Sequence, residues 1–233
     1  MWLPLESNPQ MLNTFLLRMG VEGVQFVDVW GLDPDLLQMV PQPCHALCLL
    51  YPCKKVNAAR REMYSGSDRY QLSSPGVFYL KQHDKSGNAC GTIALIHSIA
   101  NAPKGTVRFA ADSYLGNFIE SNRGKDANEV GNALCDAKTI QSASDAEAQG
   151  GETSTPARGE AVDHHFIALS CIHMEDGMHL VELDGRLPGI VDHGIVTGDS
   201  FLLEAGKVIR DQYMAMDPES ISFNVVALCS ALG

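Results

Sequence analysis

The sequence predicts an α+β fold in which helices flank a largely antiparallel central β-sheet. Strand-like and helix-like segments are mixed along the chain without the regular strand–helix–strand alternation that is typical of a parallel sheet. Residues 174–177, Met-Glu-Asp-Gly, form a short polar turn between two strand-like segments. A turn of this kind joins antiparallel strands in a hairpin, so both observations favour the α+β class.

Apolar residues follow the pattern of β-strands in several segments. Residues 46–51 form a continuous apolar run, which indicates a central strand that is buried on both faces. The predicted strands are residues 25–30, 46–51, 77–80, 162–172, 178–183 and 221–229.

Other segments have apolar residues at helical spacing. Two of them begin with a polar residue followed by proline, Asn8-Pro9 and Asp33-Pro34, which is a typical start of a helix. The predicted helices are residues 8–19, 33–40, 54–63, 90–100, 112–119, 126–138 and 199–214, and residues 65–76 are predicted as loop.

Residues 141–161 contain no large apolar residue and are composed mainly of Ser, Ala, Glu, Gly, Thr and Pro. This composition predicts a flexible loop or linker. A domain boundary is the alternative, but the chain that follows has only about 70 residues and its strands would lack partners. We therefore expect a single domain over residues 1–233 with a mobile loop at 141–161.

Composition and charge exclude several classes of protein. The chain has 233 residues, 45% of them hydrophobic, and a formal net charge of −11, which argues against nucleic acid as a partner. No apolar run approaches the ~20 residues of a membrane span, and no signal peptide is visible. Seven cysteines without a compact spacing indicate free thiols in a reducing compartment, so we expect a cytoplasmic or nuclear protein.

Cys90 is the candidate nucleophile. Asn88 is a suitable N-cap for the helix predicted from residue 90, which places Cys90 in the first helical turn. The free N–H groups and the positive end of the helix dipole stabilise a thiolate there, and can lower a cysteine pKa to roughly 4–7. The alternative role for Cys90 is that of a small buried hydrophobic residue.

The predicted hairpin brings a histidine and an aspartate together. If its loop has four residues, His165 lies opposite Arg186 and Asp184 is one diagonal away on the same face. A two-residue Asp176-Gly177 loop would keep the same face but separate the pair further, and a loop with an odd number of residues would put them on opposite faces. Diagonal neighbours lie ~7–8 Å apart, within reach of a carboxylate–imidazole hydrogen bond. The sequence therefore allows a Cys90–His165–Asp184 relay, with Gln82 and the backbone N–H of Cys90 as donors to an oxyanion.

A metal site is the competing interpretation of the histidines, since five of the eight lie between His164 and His193. No thiolate or carboxylate accompanies them at zinc-like spacing, so we expect no metal and no other cofactor. His97 lies within the Cys90 helix and is expected to be packed rather than catalytic. The other cysteines lie mostly in strand-like runs and are expected to be core thiols.

Several motifs, in order along nearly the whole chain, resemble the ubiquitin carboxyl-terminal hydrolase family. They are Trp2-Leu3-Pro4-Leu5-Glu6, Gln25-Phe26-Val27-Asp28-Val29, Met39-Val40-Pro41, Lys81-Gln82 with Asn88-Ala89-Cys90-Gly91-Thr92, Val162-Asp163 with His165-Phe166-Ile167-Ala168-Leu169, and Glu182-Leu183-Asp184-Gly185-Arg186-Leu187-Pro188. The chain is similar to the short members of the family, which consist of the catalytic domain alone.

The resemblance implies a thiol protease, of papain-like architecture with a knotted backbone, that cleaves after the terminal glycine of ubiquitin or of a related modifier. By matching positions, it implies Cys90 as nucleophile, His165 as general base, Asp184 as the residue that orients it, and Gln82 as oxyanion donor. It also implies that residues 141–161 cross over the active site and restrict the leaving group to small adducts or short peptides. We expect a monomer.

Two further features concern the substrate and the oxyanion donor. The family's substrate ends in an arginine-containing tail, and Glu6 and Asp28 occupy positions where the family has acidic contacts, whereas Gln10 stands where a Glu is common. Seven residues separate Gln82 from Cys90, whereas five are usual in the family. We expect the loop at residues 83–87 to accommodate the extra pair.

Two other functions remain open at this point. A catalytically weak or silent ubiquitin-binding module would retain the fold without turnover. A different class of cysteine protease also remains possible, because the order Cys, His, Asp is not diagnostic by itself.

Overall fold

The computed structural model describes residues 1–64, 70–71, 75–152 and 154–231. Its α-helices are α1 (Pro9–Arg18), α2 (Pro34–Leu37), α3 (Cys53–Tyr64), α4 (Cys90–Ala100), α5 (Tyr114–Asn122), α6 (Ala127–Asp136), α7 (Lys138–Gln149) and α8 (Gly198–Gln212). Its strands are β1 (Val21–Glu22), β2 (Val24–Asp28), β3 (Cys44–Pro52), β4 (Tyr70–Gln71), β5 (Arg108–Phe109), β6 (His164–Met174), β7 (Gly177–Leu183), β8 (Ile190–Val196) and β9 (Asn224–Ser230). The predicted loop at residues 65–76 lies largely outside the described residues.

The main sheet has the strand order β2-β9-β3-β6-β7-β8-β4, and β1 pairs with β5 in a separate ribbon. All of these neighbouring strands pair antiparallel. The last of these strands along the chain, β9, therefore lies between β2 and β3, next to the edge strand of the sheet. The predicted α+β class with a largely antiparallel sheet is confirmed.

The sheet separates two apolar cores. Along β3, Ala46 and Cys48 belong to one core, whereas Leu47 and Leu49 belong to the other. This follows from the alternation of side chains in a strand, and it explains why β3 is an unbroken apolar run. The first core is covered by α1, α4, α5, α6 and α7, and the second mainly by α8.

Helix α4 carries Cys90 and is buried along its whole length. A helix that is apolar on all sides belongs in the interior rather than on the surface. It packs across β6 and β3, so Cys90 at its first position lies beside the end of β6 that carries His165.

Two element predictions were wrong, and several strands, including β1, β4 and β5, were not predicted. Residues 141–149 are not loop but belong to α7, so the described residues without secondary structure before β6 are 150–152 and 154–163. Residues 77–80 are extended but pair with no strand in the described part of the chain. Strand β8 was not predicted. No helix among the described residues is long and apolar enough to cross a membrane.

Candidate active site

Cys90 is the first residue of α4, as the sequence predicted, but the cap is different. The N-cap residue is Ala89, which makes no side-chain capping bond. The side-chain amide of Asn88 instead donates to the carbonyl oxygen of Glu160, 3.1 Å away in the loop before β6. The first N–H groups of α4 have no helical acceptor and surround the thiol with positive potential.

His165 and Asp184 come together through the hairpin of β6 and β7. The ladder pairs Met174 with Gly177, so the turn has two residues, Glu175 and Asp176, rather than four. The register is nevertheless the one expected for the four-residue loop, since Ala168 pairs with Leu183. Continued beyond its last pair, that register places Asp184 on the diagonal from His165. The Nε2 atom of His165 lies 2.7 Å from Oδ1 of Asp184, and both side chains are buried.

The charges of these side chains stabilise one another. Burial opposes the imidazolium, but the charge and hydrogen bond of Asp184, together with Cys90, raise the pKa of His165 to about 9. Burial likewise opposes a thiolate, but the interaction with His165 holds the pKa of Cys90 below its ordinary value. For Asp184, His165 overcomes the effect of burial and lowers the carboxyl pKa. This arrangement favours a thiolate–imidazolium pair.

The backbone of β6 supplies another donor to the sulfur. The N–H of Phe166 donates to Cys90 and contributes to the lowering of its pKa, as does the positive charge of Arg186. The ladder between β6 and β7 begins only at Ala168, so the edge of β6 is open on that side at Phe166. Sequence patterns show no signal for this donor, because it depends on where the ladder ends.

Gln82 lies at the base of the turn that precedes Cys90. Its Nε2 donates to the carbonyl oxygen of Gly87, 2.8 Å away, and its Oε1 is buried without a hydrogen-bond partner among the described residues. Since an amide nitrogen has two hydrogens, one remains for an oxyanion. Residues Asp84–Ser86 form a 3₁₀ turn within the loop that we expect to accommodate the extra pair of residues.

Cys90 lies in the wall of a cleft of about 540 Å³. Glu6 lines the same cleft, and so do Asn88, His164 and residues of the 150–163 loop. The carboxylate of Glu6 accepts a hydrogen bond of 3.1 Å from the backbone N–H of Glu152 in that loop. The loop therefore forms part of the boundary of the cleft that contains the thiol.

Known proteins of similar sequence identify the family. The model of the ubiquitin carboxyl-terminal hydrolase family 1 matches residues 2–214. The chain belongs to this family. It is 39% identical over 222 residues to the ubiquitin carboxyl-terminal hydrolase of Aplysia californica, covering 94% of this chain and 97% of that protein. It is 38% identical over 229 residues to the isozyme L1 of Homo sapiens, covering 98% of each chain.

Solved structures show the same fold. The UCH37 catalytic domain of Trichinella spiralis, bound to ubiquitin vinyl methyl ester, aligns with a TM-score of 0.75 at 23% identity, covering 99% of this chain and 96% of that chain. The predicted family is confirmed, as is the prediction of a cysteine-type ubiquitin hydrolase.

Two residues that sequence reasoning missed hold the Asp184 segment of this hydrolase. The hydroxyl of Tyr79 donates to the carbonyl oxygens of Asp184 and Leu187, at 2.6 and 2.9 Å. The carbonyl oxygen of Gly185 accepts from the N–H of Gln82 at 2.8 Å. A Cβ at Gly185 would lie 3.1 Å from the Gln82 nitrogen, so a glycine allows this close approach.

Asp28 is placed differently from the other candidates. It ends β2 and lines a second cavity with Trp30, Arg210 and Phe223, whereas the Cys90 cleft is lined by Glu6. The structure therefore brings Cys90, His165 and Asp184 together and places Glu6 in their cleft, but it does not bring Asp28 into that cleft.

The histidines outside the Cys90 cleft have other partners. His179 is bonded to Asp192 at 2.9 Å and to Asp176 at 2.9 Å. His97 is buried, accepts a bond from the Leu80 N–H at 3.1 Å, and has its pKa lowered by burial to about 4. Within the described residues, no group of three or more His, Cys, Asp or Glu side chains is arranged to hold a metal ion.

Proposed function

We propose that Cys90, His165 and Asp184 hydrolyse the bond after the C-terminal glycine of ubiquitin. The observation that carries the proposal is a thiol with a lowered pKa, in the wall of a cleft, beside a buried imidazole that a buried carboxylate orients. Each group has the partner that nucleophilic catalysis by cysteine requires.

The bond-forming and proton-transfer steps use these side chains and water. The Cys90 thiolate attacks the carbonyl carbon of the glycine, and the His165 imidazolium gives its proton to the leaving amine as the C–N bond breaks. A thioester remains. His165, now neutral, takes a proton from a water molecule whose oxygen attacks the thioester, and then returns that proton to the sulfur.

The oxyanion of each tetrahedral intermediate needs donors that are already in place. We assign this role to the backbone N–H of Cys90 and to the second hydrogen of Gln82 Nε2. The bond from Gln82 to Gly87 fixes the orientation of the amide before substrate binds. Preorganised donors of this kind typically contribute about 10²–10³ in rate.

The substrate tail lies in the Cys90 cleft, and Glu6 contacts its arginine. Glu6 supports this placement because it lines the cleft and its carboxylate is held by the loop backbone. The Trichinella complex, in which UCH37 is bound to ubiquitin vinyl methyl ester, supports ubiquitin as the partner. We assign a contact with the body of ubiquitin to Asp28, which lies at the second cavity.

Residues 150–163 restrict the leaving group to small adducts or short peptides, because they line the cleft between fixed ends. We also propose that the protein acts as a monomeric single domain in the cytoplasm or nucleus. All seven cysteines are free thiols, as a reducing compartment requires.

A ubiquitin derivative with a C-terminal fluorogenic amide tests the proposal. Cys90→Ala should abolish turnover while leaving the Kd for ubiquitin within about twofold, because the thiol supplies the bond-forming atom and little binding surface. A ubiquitin probe with a C-terminal electrophile should label the wild-type protein at Cys90. Binding without labelling would instead indicate a silent binding module, and turnover by Cys90→Ala would exclude Cys90 as nucleophile.

A further inference from the structure

Arg158, in the loop at residues 150–163, connects that loop to α7 and to the N-terminal segment. Nη1 of Arg158 lies 2.7 Å from Oδ2 of Asp145 in α7 and donates to the carbonyl oxygen of Met1 at 2.7 Å. Arg158 is not among the residues that line the Cys90 cleft. Its contacts therefore hold the position of the loop without contributing to the surface that faces substrate.

The acceptors of Arg158 are themselves fixed to the body of the molecule. Oδ1 of Asp145 accepts the backbone N–H of Leu3 at 2.8 Å, and the Asp145 carboxylate is largely buried. Gln141 also donates to the Met1 carbonyl, at 3.3 Å. A charged hydrogen bond to a fixed acceptor restrains its donor more strongly than a bond to a mobile one.

The described part of the loop makes other contacts, of which the ion pair of Asp163 with Lys54 lies at its far end. Thr155 bonds the carbonyl oxygen of Ala148, and Glu160 is held through its carbonyl by Asn88. At its far end the loop is anchored by Asp163, whose carboxylate accepts from the N–H of Lys54 at 3.2 Å. Among these contacts, only the one at Arg158 joins full opposite charges between the middle of the loop and the body.

We propose that Arg158, Asp145 and the Met1 carbonyl form a clamp that sets how large a leaving group this hydrolase accepts. The inference rests on the proposed function and adds a residue that determines specificity. With the clamp closed, groups attached beyond the scissile bond must fit beneath the loop. With it released, the loop swings outward on its anchored ends and admits larger groups.

The clamp favours a closed population, so its loss raises turnover only where the open form is needed. The Arg158 side chain is half exposed, 50%, so its ion pair is partly screened by water. Loss of such a pair should raise the ratio of the open to the closed form of the loop roughly fivefold.

Two ubiquitin substrates distinguish an effect on the clamp from an effect on the catalytic steps. One is a C-terminal fluorogenic amide, and the other is ubiquitin fused through its C-terminus to a folded domain. In Arg158→Ala, kcat/KM for the fusion should rise roughly fivefold, while that for the small amide stays within about twofold. Asp145→Asn keeps the acceptor for the Leu3 N–H but removes the charge. It should therefore show the same rise in the ratio of kcat/KM for the fusion to kcat/KM for the small amide. Arg123→Ala removes an exposed arginine paired with Glu120 beyond the other end of α4, and should leave the ratio unchanged.

Hydrogen exchange of the intact protein provides a second readout. Amides of residues 150–163 should exchange faster in Arg158→Ala and Asp145→Asn, but not in Arg123→Ala. An unchanged fusion-to-amide ratio with unchanged loop exchange in both clamp variants would overturn the clamp. Failure of the wild-type protein to turn over the small amide would instead overturn the proposed function.

Discussion

His165 lies between a carboxylate and a thiol, and this position determines the protonation state of the site. Asp184 is bonded to one ring nitrogen at 2.7 Å, and the other, Nδ1, has no hydrogen-bond partner of ordinary length among the described residues. The ring therefore has a fixed orientation and one nitrogen available for proton transfer. Its pKa is raised to about 9 although burial opposes the charge.

The pH dependence of turnover should follow from these two pKa values. The thiolate–imidazolium pair exists above the lowered pKa of Cys90 and below the raised pKa of His165. We expect kcat/KM for the fluorogenic amide to fall on the alkaline side near pH 9, where His165 loses the proton that the leaving amine needs. A profile that stays flat to well above this pH would contradict the assignment of His165.

Asp184→Asn should lower kcat by about 10²–10⁴-fold with little change in KM, because it removes the charge that stabilises the imidazolium. The alkaline limb of the pH profile should also move toward neutral pH. Asp192→Asn is the matched control, since Asp192 is bonded to His179 at 2.9 Å and neither residue lines the Cys90 cleft. Equal effects of the two substitutions on kcat would remove Asp184 from the mechanism.

Strand register placed His165 and Asp184 on one diagonal once a loop length was assumed, because a hairpin places its side chains by counting. Cys90 lies on α4 outside the hairpin, so only the family resemblance joined it to the other two residues. The same reasoning did not find the Phe166 N–H donor or the two bonds of the Tyr79 hydroxyl. Those contacts depend on where a ladder ends and on the path of an irregular segment, and neither is recorded in a local pattern.

At the scale of elements, the turn before α4 orients the oxyanion donor. The 3₁₀ turn Asp84–Ser86 ends at Gly87, which has φ 61° and ψ −121°. This backbone conformation is open to glycine and strained for other residues. Gly87 thereby directs its carbonyl oxygen toward the Gln82 amide.

Gly87→Ala should therefore reduce kcat by about tenfold or more, because the strained turn misplaces the acceptor that orients Gln82. The loss of stability should be about 1–3 kcal/mol. Gly124→Ala is the control, since Gly124 also has a positive φ of 74° but nothing within 4 Å of its added Cβ. If both variants retain full kcat in steady-state assays, the turn does not position Gln82.

The elements that were predicted wrongly have identifiable physical causes. Residues 77–80 are strand-like, but their backbone bonds go to side chains at α4: Asn101 pairs with both polar groups of Phe78, and His97 accepts from Leu80. Helix α7 has few large residues, yet its Ser144 bonds Thr92 and its Asp145 bonds Leu3. Small residues allowed close packing there, where composition alone favoured a loop.

Strand β8 was missed because polar residues interrupt its apolar pattern. Asp192 and His193 would be costly in a half-buried strand without partners. In the structure they are bonded to His179 and Glu182, two side chains of the neighbouring strand β7. The side-chain partners on β7 thus allow polar residues in β8, where the local sequence pattern did not indicate a strand.

At the scale of the whole molecule, a buried ion network joins helix α3 to strands β7 and β8. Glu182 of β7 is fully buried, pairs with Arg60 of α3, and accepts from His193 of β8 at 3.0 Å. The guanidinium of Arg60 also lies 4.0 Å from the ring centre of Tyr213. Removing Glu182 takes away a carboxylate that pairs with both Arg60 and His193, and the loss of a buried counter-charge is costly.

Glu182→Ala should lower the free energy of unfolding by about 3–5 kcal/mol, because Arg60 loses its buried counter-charge. Glu120→Ala removes the partner of an exposed arginine, Arg123, and should change the free energy of unfolding by less than about 1 kcal/mol. Urea denaturation followed by tryptophan fluorescence measures both values. Similar losses in the two variants would show that the buried network contributes no more than a surface pair.

The position of β9 between β2 and β3 affects how the protein is made in the cell. β2 and β3 leave the ribosome early, but β9, which lies between them and pairs with both, follows more than 170 residues after β3. At ordinary translation speeds the interval between them lasts on the order of tens of seconds, during which both strands expose unpaired edges. We expect the nascent chain to be prone to aggregation until β9 pairs with both strands, and a chain truncated before Asn224 to aggregate rather than to fold into a smaller enzyme.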